Sequence, residues 1–337
     1  MTRQTMILGL LILAITGGCS VGAGSHARST ALPAAVLGGG AAATSAATAL
    51  PAPQDLYLQL AAINRPLWGW QLLSFRAVVE SLAARLEIHH VARADLGRTL
   101  VWDQERSAYV ASLRTDAPAG AVRVVLYTID PALDRPAIPL AEIGVVDMYP
   151  QNTTIGGPVS VPTMHYVVSA AGPNPMVYAD FSAVDGEPGC ACATVAGWVT
   201  DVLTRVDFSA RYSFDEDGVR FTATAHLASQ PGVFQFDATM EESLLHSEAR
   251  FAVQDDSLET RGMLLDDDDG TSGGTFTVRV NGRPFTDSNA DLTTVIGPQG
   301  RSLTSIERLT VRQLYVLTYG LLLNVELPTY LTFNCGC

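Results

Sequence analysis

The sequence predicts an α+β fold, in which a long curved antiparallel β-sheet, a meander, packs on one or two apolar helices. Three observations lead to this prediction. Apolar and polar residues alternate with a period of two in many segments after residue 98, turn-forming residues separate these segments, and two flanking stretches have helical spacing. A sheet with one apolar and one polar face is half exposed to water, so its apolar face needs a covering layer.

The first strands are predicted between residue 98 and the first pair of cysteines. Short apolar runs there are separated by turn or Pro-rich connections, such as Asp130-Pro131 and residues 155–158. The predicted strands cover residues 100–102, 108–113, 122–129, 143–148, 165–170 and 177–183.

The clearest alternation begins at Val206 and continues as a series of hairpins, with turns at residues 215–218 and 231–232. Later strands are predicted over residues 246–253, 258–265 and 275–280. Alternate side chains share one face of a strand, which allows the inward-facing residues to be identified. Alanine beside phenylalanine leaves room where a tight core would hold Leu or Ile. The candidates for lining a ligand cavity are therefore Phe208, Phe221, Ala223, Phe234 and Phe236, with a filled core as the alternative.

Helical spacing occurs on both sides of the predicted sheet. A short helix over residues 55–64 ends at Arg65-Pro66, and residues 68–87 carry one apolar face. Near the C-terminus, Thr304 and Glu307 fit a capping box, and a helix is predicted over about residues 304–323. Because residues 314–323 are apolar almost all round, this helix is expected to pack against the apolar face of the sheet.

The first twenty residues have the layout of a secretory signal peptide. Arg3 precedes an apolar run over residues 6–15, and the small residues 16–18 lead directly to Cys19. A cysteine in this place resembles the lipobox of bacterial lipoproteins, although Thr16 stands where that family usually has Leu. The resemblance implies lipidation of Cys19, removal of residues 1–18 and, because Ser20 is not Asp, sorting to the outer membrane. Ordinary secretion, with Cys19 as a bystander, is the alternative.

The predicted organisation has four parts. Residues 1–18 form the signal peptide, and residues 19–54, rich in Ala, Gly, Ser and Thr, form a flexible tether. Residues 55–97 form a helical segment, and residues 98–337 form the β-rich body that includes the late helix. The protein is therefore expected to be exported and attached to the membrane through a lipid anchor.

Four cysteines remain after processing, in two Cys-x-Cys pairs. An even number of cysteines in an exported chain predicts disulfides. Because a bridge within one pair would close a small strained ring, cross-pairing is favoured between the first pair, Cys190 and Cys192, and the second, Cys335 and Cys337. A thiolate metal site and a labile redox pair are the alternatives.

Composition and motifs exclude several function classes. The formal net charge is -13, and an acidic surface argues against nucleic acid as a partner. The sequence lacks the fingerprints of nucleotide-binding loops, serine hydrolases and zinc proteases, so no catalytic residue, cofactor or metal site is predicted. The acidic clusters at residues 215–217, 255–256 and 266–269 are compatible with calcium binding or with solvated turns.

These observations predict a non-enzymatic lipoprotein of the cell envelope that binds an apolar or lipid-like ligand. One alternative is a surface interaction or structural lipoprotein with a filled core, whose partner is another envelope protein. A second alternative is an enzyme whose site is assembled from residues distant in sequence. A void inside the sheet would favour the first hypothesis, and a filled core with an apolar outer patch would favour the interaction protein.

Overall fold

The structure is a computed structural model. It describes residues 54–67, 95–130, 135–154, 160–172, 175–185, 191–215, 218–229, 232–241, 244–266, 272–289 and 294–315.

The protein is mostly β-sheet, and the predicted α+β class is wrong. Strands account for 63% of the structure and one large sheet dominates it. The described residues contain two short α-helices, α1 (Gln54–Leu67) and α2 (residues 305–315). Most of the buried apolar side chains come from strands. The prediction treated two segments with helical spacing as a layer of helices packed on the sheet. In the structure, the alternating segments supply most of the core.

Seventeen strands are described, and fifteen of them belong to one sheet. The chain divides into two compact units. The first unit contains Met1–Asn64, Asp215–His226 and Gln230–Leu322, and the second contains Arg65–Phe214, Leu227–Ser229 and Leu323–Cys337.

In the second unit the strand order is β10-β9-β8-β7-β6-β3-β1-β2. Its neighbouring strands are antiparallel, apart from the parallel pair β1 and β3, and β4 pairs with β5 in a separate small hairpin. The strands are β1 (Thr99–Asp103), β2 (Ala108–Ala111), β3 (Val122–Tyr127), β4 (Ile129–Asp130), β5 (Arg135–Pro136), β6 (Glu142–Thr154), β7 (Ser160–Ala170), β8 (Val177–Asp185), β9 (Ala191–Thr200) and β10 (Arg205–Asp215).

In the first unit, seven consecutive strands lie side by side in sequence order. Pairing from β11 to β17 is antiparallel throughout. The strands are β11 (Gly218–Leu227), β12 (Val233–Glu241), β13 (Leu244–Val253), β14 (Asp256–Asp266), β15 (Ser272–Val280), β16 (Arg283–Asn289) and β17 (Val295–Ile296).

The strand β9 is absent from the sequence prediction, because Ala and Gly dilute its apolar signal. Its Gly197 lies between two phenylalanines on the buried face of the second unit, where a larger residue would not fit. Gly197 pairs with Phe181 on one side and Phe208 on the other, and these two rings lie 6.1 Å apart. A Cβ at Gly197 would collide with the Asp180 carbonyl oxygen and with Phe181. Sheet packing therefore selects a residue with weak strand propensity.

Both described helices contact the buried face of the first unit. In α2, the ring of Tyr315 meets Phe276 of β15 edge to face, with centroids 5.1 Å apart. In α1, Gln59 lies close to the sheet, since a Cβ built on Gly232 would lie 2.8 Å from its Oε1 and 2.9 Å from the ring of Phe251. The helices therefore cover part of the sheet without forming a full layer.

Candidate functional site

The five cavity candidates all lie buried. Phe221, Ala223, Phe234 and Phe236 belong to the first unit, and Phe208 belongs to the second. Burial places them where the alternation predicts, but burial does not test whether they line a cavity.

The register between β11 and β12 explains the alanines of this face. Phe221 pairs with Ala238, and Ala223 pairs with Phe236. Each of these large rings thus has a methyl group as its cross-strand neighbour. Large and small side chains therefore alternate between the two strands, and the small ones leave space that the rings occupy. The Phe236 ring also lies 6.0 Å from Phe221 and 6.5 Å from Phe234. This arrangement is typical of a filled aromatic core.

The helix predicted to oppose these residues is only partly described. Val311, Leu314 and Tyr315 of α2 are buried, in agreement with an apolar face directed at the sheet. Residues 316–323, which carry the most apolar part of the predicted helix, lie outside the described residues.

The outward face of the first unit carries a polar depression with an accessible volume of about 400 Å³. Two rungs of the sheet form it, because cross-strand pairing brings residues distant in sequence side by side. One rung holds Asp237, Glu248, Arg261 and Thr277, and the other holds Thr239, His246, Met263 and Thr275.

Ion pairs organise the charged rung of the polar depression. An Arg261 Nη2–Glu248 Oε1 distance of 3.2 Å and an Arg220 Nη2–Asp237 Oδ2 distance of 2.6 Å leave both carboxylates paired with a guanidinium. These side chains are at least two-fifths exposed, so each pair contributes little to stability and remains accessible to a partner. The site offers charges of both signs, hydroxyls and an imidazole to a polar ligand.

The second unit carries a separate group of aromatic and charged side chains on its outward face. The His165 Nε2 and Asp180 Oδ1 atoms lie 2.8 Å apart, and the Tyr149 ring lies 5.7 Å from the imidazole. The Arg205 guanidinium lies 4.6 Å from the centre of the Trp198 ring. Sequence analysis identified none of these residues as functional, because their proximity depends on strand register.

Two buried tyrosines are unsuited to acid–base chemistry at neutral pH. Burial raises the pKa of Tyr166 above its usual range, and burial together with Tyr127 raises the pKa of Tyr109. The Tyr109 hydroxyl donates a hydrogen bond to the Val125 carbonyl oxygen at 3.0 Å. Both phenols therefore stay protonated, and Tyr109 ties two strands together.

Most of the predicted modification sites lie outside the described residues. These are Cys19, Cys190, Cys335 and Cys337. Cys192 is described, and it lies buried in β9 opposite Ser213 of β10. The proposed lipidation and cross-pairing therefore stay predictions.

Metal binding has little support within the described ranges, where no three His, Cys, Asp or Glu side chains form a group that could hold an ion. Much of two acidic clusters, residues 216–217 and 267–269, lies outside those ranges. Neither α1 nor α2 has the length and apolar character needed to cross a membrane.

Comparison with known proteins gives no family for this chain. No protein-family model, curated protein or solved structure matches it.

Proposed function

We propose that the chain is a non-enzymatic lipoprotein of the cell envelope, anchored through Cys19, that binds another envelope protein through the polar depression. The observation that carries this proposal is the recess of about 400 Å³ formed by two rungs of outward-facing side chains. Mixed charges and hydroxyls in such a recess suit the polar groups of a protein loop, and charge complementarity provides specificity.

The packing of the buried face supports the interaction protein over the ligand carrier. The alanines that indicated free space, Ala223 and Ala238, each pair with a phenylalanine. A face filled in this way leaves the outward face as the surface available for binding.

Site-specific photo-crosslinking in the native envelope tests the proposal. Because the chain has no lysine, amine-reactive reagents would not label its body, so a photoreactive amino acid is placed at Thr277. A matched variant carries it at Ser209, an exposed residue of β10. We expect one discrete crosslinked protein from Thr277 and none from Ser209.

Charge reversal completes the experiment. Arg261→Glu in the Thr277 background should abolish the crosslink, because it places three acidic side chains in one rung. Arg211→Glu, an exposed change on β10, should leave the crosslink intact. The proposal would be contradicted if the variant with the photoreactive residue at Thr277 gave no crosslink. It would also be contradicted if Arg261→Glu left that crosslink unchanged.

A second candidate function is binding of an apolar, lipid-like ligand. It is favoured by the small residues Ala238, Ser247 and Gly262, which occupy adjacent buried-face positions between Phe221 and Phe276. Native mass spectrometry, with lipid extraction of protein made in its own envelope, distinguishes the two functions. A lipid bound at unit stoichiometry would favour the carrier, and an unliganded mass would favour the interaction protein.

A further inference from the structure

Exposed apolar side chains cluster at one end of the sheet in the second unit. Four large ones are strongly exposed there: Ile138 at 66%, Met176 at 44%, Val202 at 56% and Leu203 at 83%. They lie on three different connections between strands. Clustered exposed apolar residues on a soluble surface mark an interaction site more often than scattered ones do.

Strand register places these connections at the same end. The connection from β3 to β6 joins Tyr127 and Glu142, which are paired, and contains Ile138. Ala170, at the end of β7, donates its N–H to the Met176 carbonyl oxygen at 2.9 Å.

The β9–β10 turn, which carries Val202 and Leu203, lies at the same end of the sheet. Ala179 pairs with Val199, so the same register extended by three residues brings Met176 to the level of Val202 in the β9–β10 turn. We call these tips, formed by Ile138, Met176, Val202 and Leu203, the apolar rim.

The β9–β10 turn holds its two apolar side chains outward in a constrained conformation. The Asp201 carboxylate accepts N–H bonds from Leu203 at 3.1 Å and Thr204 at 2.8 Å, and the Thr200 hydroxyl accepts one from Val202 at 3.1 Å. Val202 has φ of 82°, a region that a β-branched residue rarely adopts. A polar framework thus displays two apolar side chains, and Val202 occupies a position where Gly or Asn would be less strained, which is typical of a functional position.

The chemistry of the rim suits a lipid surface. Within these connections, the described residues 136–141, 171–172, 175–176 and 201–204 contain one charged residue, Asp201, whose carboxylate is engaged within the turn. Two residues below that turn, the partly exposed Trp198 ring lies against the Arg205 guanidinium. Trp and Arg side chains both have an apolar part and a polar end. They are therefore well suited to the level of the lipid headgroups, where the acyl chains lie on one side and water on the other.

We infer that the apolar rim contacts the surface of a lipid bilayer, with Trp198 at the level of the headgroups. The predicted tether, residues 19–54, has an expected end-to-end reach of about 30 Å as a flexible chain. A lipid attached at Cys19, which belongs to the proposed function, would hold the chain close to a bilayer. The contact itself depends on the rim and is independent of the polar depression.

Depth-dependent fluorescence quenching tests this contact. Tryptophan is introduced as Leu203→Trp in the rim and as Leu113→Trp just beyond the end of β2 that points away from the rim, where Leu113 is fully exposed. Each purified full chain is mixed with vesicles of phosphatidylcholine carrying brominated acyl chains. A zwitterionic lipid is used because the net charge is -13. The parent, with its four native Trp residues, supplies the background that is subtracted from each variant. We expect bromine to quench the emission added by Trp at residue 203 and to leave the emission added at residue 113 unquenched.

A charge variant makes the result quantitative. Leu203→Asp should lower vesicle partitioning about tenfold or more, because it replaces an apolar side chain that would enter the bilayer with a charged one. Leu113→Asp should leave partitioning unchanged, and circular dichroism should show both variants folded. Equal quenching at both sites would indicate association with the bilayer through no preferred face and would overturn the inference. Absence of quenching at residue 203 would also overturn it, leaving a protein partner as the occupant of the rim.

Discussion

At the scale of single residues, the decisive feature is the pairing of large and small side chains on the buried face. Ala223 lies 5% exposed in β11 and faces Phe236, which is 3% exposed. The sequence identifies both residues as inward-facing. It does not identify their cross-strand partners, so it cannot distinguish an alanine that leaves a void from one that accommodates a ring.

Substitution of Ala223 measures whether this face is filled. Ala223→Phe should lower the free energy of unfolding by about 1–3 kcal/mol, because the new ring must displace that of Phe236. The matched control is Thr224→Phe, which adds similar bulk at an exposed position of the same strand. Chemical denaturation measures both variants. A loss no larger than that of the control would indicate an empty cavity and would support the ligand carrier.

At the scale of secondary-structure elements, the N-terminus of α2 confirms the capping box. Glu307 donates its backbone N–H to the Thr304 hydroxyl at 3.2 Å, and its carboxylate accepts the Thr304 N–H at 2.8 Å. The same carboxylate pairs with the Arg301 guanidinium at 3.0 Å. This local motif is predictable, since four consecutive residues, 304–307, define its geometry.

The Glu307 carboxyl makes the stability of α2 depend on pH. Hydrogen bonding to Arg301, reinforced by the Thr304 N–H and hydroxyl, lowers the pKa of Glu307 from 4.5 to about 2. A lowered pKa in the folded state means that the stabilisation is complete above the unfolded value and is lost as pH falls towards 2.

Glu307→Gln should therefore lower the free energy of unfolding by about 1 kcal/mol at neutral pH, through loss of the charged cap and of a partly screened ion pair. The difference from the parent should shrink below pH 4.5 and vanish near pH 2. Denaturation curves over this range, with the exposed Glu105→Gln as control, measure it. A difference that stays constant with pH would contradict the role of the Glu307 charge.

At the scale of the whole molecule, the predicted export and lipid attachment would decide how the chain is held. Cys19→Ala should release the protein from the membrane fraction, because the predicted acyl anchor is lost. Cell fractionation with Ser20→Ala as the matched control tests this prediction. Equal membrane association of the Cys19→Ala variant and the parent would show that a lipid on Cys19 is not the attachment.

The cysteine pairs predict a long-range covalent link. Cys190 and Cys192 should form disulfides with Cys335 and Cys337, which would close a long loop and stabilise the protein by roughly 4–5 kcal/mol in the chain-entropy model. Peptide mapping without reduction should recover the cross-linked peptides. Free thiols at all four positions, or a stoichiometric metal, would contradict the pairing.

The sequence by itself determines the features that depend on residues close together in the chain. Alternation identifies the buried side of Phe221 and Phe234, and the spacing of Thr304 and Glu307 predicts the cap of α2. Tertiary structure decides what depends on register. It made the protein mostly β, added β9 through the fit of Gly197, and paired Ala223 and Ala238 with phenylalanines. It also assembled the polar depression from neighbouring strands and the apolar rim from separate connections. The physical reason is that cross-strand neighbours meet through backbone hydrogen bonds, whose pairing no local pattern specifies.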